Sequence, residues 1–188
     1  MKRLLVILLG VAIALAISAA FGAAFAAGEK VLIQGEDYVA EGGGTLEVIE
    51  GRIDAVGGKN FRNWDNADHW AEWKFDIPVD GKYRIVIRYA AGADPPIRKI
   101  AIDGSVLPGF DAHEFQLTGG WCKEENQWVN YTLRTGTKDA IFDLKAGSHV
   151  LRMTNLGETA NGMNIDVIGF LAADVKADVL GPASVAQE

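Results

Sequence analysis

Cysteine is almost absent. Cys122 stands alone among 188 residues, so no internal disulfide is possible and cysteine-stapled scaffolds are excluded. Proline is scarce at five residues, and no amphipathic stripe of ten or more residues occurs beyond the first stretch, which argues against a helical domain. There is no Gly-x-Ser-x-Gly elbow and no His-Glu-x-x-His zinc motif. Gly42-Gly43-Gly44 lacks the lysine and helix that a phosphate loop needs. The three histidines, His69, His113 and His149, are too scattered for a motif and read as surface or hydrogen-bonded groups. A carboxylate pair for glycoside hydrolysis is neither indicated nor excluded, because 25 acidic residues always supply some pair. Basic side chains are in deficit, 18 against 25, for a net charge of −7. Such a chain repels phosphate backbones, which makes nucleic acid a poor partner.

What is there begins with Lys2 and Arg3 ahead of an uncharged, mostly apolar run from Leu4 to Ala27 that contains Ala24-Phe25-Ala26. Basic, then apolar, then small-x-small is the order of a secretory signal peptide, residues 1–26, cut after Ala26. The run is also long enough to cross a bilayer as an uncleaved anchor. Its alanine-rich composition and small-residue end favour cleavage, which leaves no membrane segment and a product that is secreted, periplasmic or at the cell surface. Loss of Lys2 and Arg3 lowers the basic count from 18 to 16 and takes the net charge to −9. An exported fold without disulfides is held by a sizeable core or by a bound metal ion.

After the signal, short apolar runs alternate with turn residues. Trp70-Ala71-Glu72-Trp73-Lys74-Phe75-Asp76-Ile77 has the period-two pattern of a half-buried strand, and Pro78-Val79-Asp80-Gly81 is a turn. Tyr83–Tyr89 is β-branched and aromatic, and Asp103-Gly104 marks a hairpin after Ile97–Ile102. Val31–Ile33, Leu46–Ile49, Ile53–Val56, Trp128–Leu133, Ala140–Leu144, His149–Met153 and Asn164–Leu171 are further short runs. Many short strands between glycine-rich turns predict an all-β fold, an antiparallel β-sandwich or barrel, over residues 28–172. From about Ala172 the chain turns small and polar, and residues 173–188 read as a flexible tail or linker stub.

Three groups of residues could carry binding. Gln34 and Glu36 end the first strand and Asp166 lies in the last; terminal strands of a sandwich often pair, which would gather two carboxylates and an amide oxygen, a donor set suited to Ca²⁺. Spacing alone favours the plainer reading, two solvated acids near strand ends. Trp64 in Asn63-Trp64-Asp65-Asn66 and Trp121 in Thr118-Gly119-Gly120-Trp121 sit in loop contexts, where a flat indole either stacks on a sugar ring or folds back over the core. Asn60, Asn63, Asn66, Asn161 and Asn164 both donate and accept, as sugar hydroxyls require, and are equally common turn residues.

In register, several stretches resemble carbohydrate-binding modules of families 6 and 35, which are galactose-binding-like jelly rolls. They are Ile33-Gln34-Gly35-Glu36-Asp37-Tyr38, Gly57-Gly58-Lys59-Asn60-Phe61, Trp70–Pro78, Gly81–Ile85 and Arg88-Tyr89-Ala90. Thr118–Trp121, Leu144–Arg152 and Asn164–Phe170 continue the match, which spans Lys30 to Leu171. The resemblance implies a β-jelly roll with a structural calcium ion held by Gln34, Glu36, Asp166 and a backbone carbonyl from Ile53–Lys59. It implies a polysaccharide or oligosaccharide partner bound at loops on one end, on Trp121 and an opposing aromatic, Trp64 or Phe61, with Asn164 nearby. It also implies a non-catalytic protein, expected as a monomer. One departure is Cys122–Gln127, which lengthens the loop before Trp128. That insertion keeps open a structural or adhesive cell-surface sandwich without a sugar site, and a small secreted hydrolase is a third, weaker reading.

Overall fold

The structure, a computed structural model, describes residues 29–157 and 161–184. The signal-peptide reading of residues 1–26 lies outside them.

The strands are β1 Lys30–Gln34, β2 Ala40–Gly42, β3 Glu47–Glu50, β4 Lys59–Arg62 and β5 Trp70–Ile77. They continue with β6 Gly81–Ala90, β7 Ile97–Ile102, β8 Ser105–Val106, β9 His113–Glu114 and β10 Val129–Thr132. The last five are β11 Arg134–Thr135, β12 Lys138–Asp139, β13 Phe142–Leu144, β14 Gly147–Asn155 and β15 Asn164–Ala172. One large sheet runs β1-β15-β6-β10, with β13 also on β6, a second runs β2-β5-β14-β7-β8, with β9 on β7, and β3-β4 and β11-β12 form separate two-stranded pairs. Pairing is antiparallel throughout both sheets. The expected antiparallel β-sandwich is therefore the fold. Ile53–Val56, an apolar run in sequence, is not a strand: it is a turn entering a single 3-10 turn at Val56–Gly58.

Alternation builds the core. On β5, Ala71, Trp73, Phe75 and Ile77 are buried, and on β6 Tyr83, Ile85, Ile87 and Tyr89 join them from the facing sheet. Phe75 and Phe170 stack across the two sheets at 3.8 Å between centroids and 12° between planes. On the outer face of the first sheet Val86, Val167 and Leu171 form a second apolar cluster with Leu180, so β15 is buried along its whole length.

That second cluster places the segment after Ala172 differently from the expected flexible tail or linker stub. It lies against the outer face of the first sheet as far as Ser184. Leu180 is buried there, Arg84 donates to Val175 O, and Arg88 donates to Pro182 O at 2.6 Å. Asn130 donates to Gly181 O at 2.8 Å and Ser184 N–H to Trp128 O at 2.8 Å. Leu180, with Val175, Ala177 and Val179 packed partly buried around it, and a set of backbone carbonyls dock the segment.

The register of β1 on β15, Lys30 opposite Leu171 through Gln34 opposite Val167, joins the two ends of the domain as expected. Between β15 and β6 the register slips at Asp166: Ile165 faces Tyr89 and Val167 already faces Arg88. Such a bulge re-aims one side chain. Ile165 and Ile168 belong to the inner core while Val167 belongs to the outer cluster, so the slip puts Asp166 beside Val167 on the outer face.

Candidate functional site

Asp166 is fully buried, and its carboxylate accepts the Val56 N–H at 3.0 and 3.2 Å and an N–H from Arg88, itself fully buried. The β1 end approaches the same point. Gly35 N–H donates to Asp166 O at 2.7 Å, and a Cβ on Gly35 would sit 2.2 Å from Ile165 O, so only glycine lets these strands pass. The chain then turns, with Asp37 N–H on Gln34 O at 3.1 Å. Glu36 is thus aimed by a turn and not by the strand alternation that its i, i+2 spacing to Gln34 suggested.

Gln34 Oε1 and Glu36 Oε2 are buried acceptors with no hydrogen-bond partner. Gln34 lies against the 3-10 turn, its amide 3.7 Å from where a Gly57 Cβ would be. Burial pushes the Asp166 carboxyl up to about 6, with the Glu36 charge adding to the rise, and burial pushes Glu36 up as well. Asp166 already has Arg88 and the Val56 N–H, but the amide oxygen of Gln34 and one carboxylate oxygen of Glu36 are buried without a donor, and oxygens of this kind fit a hard cation. Among the described residues no three His, Cys, Asp or Glu side chains converge, so the amide of Gln34 is needed to complete the set. Within the expected Ile53–Lys59 carbonyl region, Ile53 O and Asp54 O already accept from Trp128 Nε1 and Arg88.

At the end of the sandwich where β6 stops and β15 starts, a cavity of about 310 Å³ opens between loops. It is bordered by Arg52, Arg62, Asn63, Trp64, Asp65, Ala93, Trp121, Lys123, Gly162, Met163 and Asn164. The register of Asn164 opposite Ala90 brings these loops together. Trp121 is half-buried, its Nε1 edge against Gly92 and its far edge against Gly162, where added Cβ atoms would come to 2.8 and 3.3 Å. Asn164 is buried in the cavity wall, and among the described residues neither its amide nor the Trp121 N–H makes a hydrogen bond. Thr118 ties the Trp121 loop to the end of β6: its N–H donates to Ala91 O at 2.9 Å and its Oγ1 accepts the Ala91 N–H at 3.0 Å.

Sequence reasoning named Trp121, Trp64, Phe61 and Asn164, and the structure divides them. Trp121 and Asn164 meet at the cavity. Trp64 borders it, but its ring has no exposed surface: Nε1 donates to His69 O at 2.9 Å and Arg98 lies 4.3 Å from the ring centroid. Asn63, at φ 67°, turns the chain so that residue 64 points inward. Phe61 is fully buried, edge-on to Trp64 at 5.6 Å, and lies outside the cavity. Neither Trp64 nor Phe61 is a stacking face, because each fills core volume that would otherwise be a void. Of the asparagines only Asn63 and Asn164 reach the cavity.

Sequence reasoning missed the charged lining. Arg52, Arg62 and Lys123 share the lining with Asp65; Arg62 is paired with Glu47 at 2.9 Å, whereas Arg52 and Lys123 enter no ion pair among the described residues, and Arg52 Nε is buried without a partner. It also missed Arg98, fully buried, which donates to Trp64 O and Asn161 O at 3.1 Å each and to Asn155, pinning two loops that frame the cavity. Burial pulls its guanidinium down to about 9. No motif marks these arginines, because their role depends on which loops meet. A larger groove of about 740 Å³ runs between the β7–β8 turn and β13, but none of the buried polar atoms lacking a partner belongs to its lining.

The histidines are hydrogen-bonded groups: His69 to Glu41 at 3.2 Å, His113 to the Tyr131 hydroxyl at 3.0 Å and His149 to Asp103 at 2.7 Å. Among the described residues no helix is long and apolar enough to cross a membrane.

No family model matches the chain. Among curated proteins it is 29% identical over 140 residues to an exo-β-D-glucosaminidase of Amycolatopsis orientalis, covering 70% of this chain and 12% of that protein. The chain thus spans about an eighth of the length of the relative it matches. Among solved structures, a family 35 carbohydrate-binding module from Clostridium thermocellum matches at TM-score 0.60 and 22% identity, over 77% of this chain and 99% of that one. A family 35 module from Paenibacillus barcinonensis matches at 0.59 and 19%, over 76% and 99%. A family 6 module of lichenase 5A from Cellvibrio mixtus, solved in complex with cellotriose, matches at 0.52 and 23%, over 76% and 97%. The chain has the β-sandwich fold of the family 35 and family 6 carbohydrate-binding modules.

Proposed function

We propose that this chain is an exported, non-catalytic carbohydrate-binding module whose glycan lies on Trp121 at the loop end of the sandwich. The observation that carries the reading is the meeting of Trp121 and Asn164, distant in sequence, at one cavity where an indole N–H and a side-chain amide have no partner within the described protein. A half-exposed indole supplies an apolar face for a sugar ring, and the amide both donates to and accepts from hydroxyls. Arg52 and Lys123 enter no ion pair among the described residues and outnumber the one carboxylate of the lining, Asp65, which favours a sugar bearing an acidic group. The relatives named above supply the general class of partner.

A calcium ion held by Gln34, Glu36 and Asp166 is part of the same proposal. It would supply the partner that Gln34 Oε1 and Glu36 Oε2 lack, beside the Arg88–Asp166 pair, and would join the two terminal strands to the turn at Val56. Its role is structural: the ion would hold the loop frame, while Trp121, Asn164 and Arg52 contact the sugar. Nothing in the binding reading requires bond making or breaking.

The burial of Trp64 and Phe61 removes one of two expected aromatic faces, and this favours a second reading, a structural or adhesive sandwich that has kept the fold without sugar binding. Retention on immobilised glycans separates the two. Wild-type protein is expected to be held on at least one acidic polysaccharide, and Trp121→Ala to run through unretarded with its melting temperature nearly unchanged. Retention that survives Trp121→Ala refutes the proposed site, and an empty glycan array supports the structural reading.

A further inference from the structure

The lengthened loop that departs from the family pattern is an internally wired unit. Gln127 closes it: Cys122 N–H donates to Gln127 Oε1 at 2.9 Å, and Gln127 Nε2 donates to Gly119 O at 3.3 Å and Glu125 Oε1 at 3.0 Å. Cys122 is turned inward at φ 55° and packs against Ala90 and Trp128, which leaves Trp121, its neighbour, facing the cavity.

Asn126 connects this unit to the rest of the molecule with its whole amide. Its Oδ1 accepts the Trp128 N–H at 3.0 Å, and its Nδ2 donates to Asp54 Oδ2 at 3.0 Å and Pro182 O at 3.1 Å. Pro182 O also accepts from Arg88, the buried partner of Asp166, and Ile53 N–H donates to Cys122 O at 2.9 Å. Three segments far apart in sequence, the loop after β3, the Trp121 loop and the C-terminal segment, therefore meet at one half-buried side chain.

We infer that Asn126 is a positioning residue for Trp121, and that the C-terminal segment through Pro182 is part of the sugar site's support. The inference rests on Trp121 being the sugar platform. A loop of this length without secondary structure samples several conformations unless it is tied down, and an aromatic that is in place for only a fraction of the time binds with affinity reduced by that fraction. Asn126 supplies the ties on the side away from the cavity.

Asn126→Asp tests this. The variant keeps the acceptor for Trp128 N–H, loses both donated bonds and sets a carboxylate against Asp54. In the full chain labelled with 5-fluorotryptophan, the Trp121 fluorine resonance, assigned through Trp121→Phe, is expected to shift or broaden while the resonances of buried Trp64 and Trp73 stay in place. Retention on the glycan that holds the wild type should weaken by about tenfold if the loop is in place a tenth as often. Adding Asp54→Asn restores a donor between the two positions and should recover both readouts. If Asn126→Asp fails to fold, Asp54→Gly cuts the same link from the exposed side, at a backbone φ of 55° that glycine accepts, and should move the same resonance. An unchanged Trp121 resonance in the folded variant overturns the inference. If no glycan holds the wild type, the sugar reading falls by itself, and the fluorine shift and its recovery still decide whether Asn126 positions Trp121.

Discussion

Arg52 and Val56 stand on one loop and serve two places. Arg52 borders the cavity beneath Trp121, while the Val56 N–H donates to both oxygens of Asp166 at 3.0 and 3.2 Å. Between them Ile53 is bonded to Cys122 and Asp54 to Arg88 and Asn126, so the loop that closes the oxygen cluster also forms a wall of the candidate sugar site. Whatever orders one end of the loop orders the other.

Calcium at a hundredfold excess over its dissociation constant should raise stability by about 2.7 kcal/mol, by mass action on the native state. Differential scanning calorimetry in EGTA and then in added Ca²⁺ reads this as a fall and a recovery of Tm. Glu36→Gln, which removes one of the two carboxylate charges, should flatten that response. A melting curve indifferent to both chelator and ion would remove the cation from the proposal.

Trp64→Ala should behave unlike Trp121→Ala. Its ring is fully buried against Phe61, Trp73 and Arg98, so truncation leaves a cavity and costs about 3–5 kcal/mol. Urea unfolding followed by fluorescence measures the loss. A variant as stable as the wild type would mean that this indole is not core.

Arg52→Gln with Lys123→Gln should weaken binding of an acidic oligosaccharide by roughly tenfold, the scale of one charge-assisted hydrogen bond, and leave a neutral analogue nearly unaffected. Titration calorimetry at low and high salt checks this, with the acidic ligand alone showing a salt dependence. Equal losses for both ligands would assign these residues to shape and not to charge.

His149 stands with Nδ1 2.7 Å from Asp103 Oδ2 and Nε2 2.8 Å from Lys145 O, two acceptors that both rings' nitrogens satisfy only in the protonated form. The hydrogen bond to Asp103 holds the imidazole above its usual 6.5. A raised folded-state value contributes stability that is complete below about 6.5 and is lost as the pH rises through the folded value. Urea midpoints from pH 6 to pH 9 should therefore decline in the wild type, and less steeply in Asp103→Asn.

Much of this was legible along the chain. The alternation of Trp70–Ile77 and the turns at Pro78–Gly81 and Asp103-Gly104 follow from period-two patterning and turn chemistry, which are local properties, whereas the pairing of the first strand with the last was expected only from the habit of sandwiches. Trp121 and Asn164 could be named because loop context and strand position are also local. The aim of Glu36 was not legible: it comes from a turn after β1 and not from strand alternation.

The amino-acid order by itself determined an antiparallel β fold, most of its longer strands and the residue types available at its ends. The tertiary structure alone decided which loop indole is exposed, since Trp64 is covered by Arg98 from β7 and Trp121 is not. It alone docked the segment beyond Ala172 and set Arg88 against Asp166. The reason is physical: whether a side chain forms a strand is decided by its near neighbours, but whether it is buried or left facing a cavity is decided by what arrives over it from elsewhere in the chain.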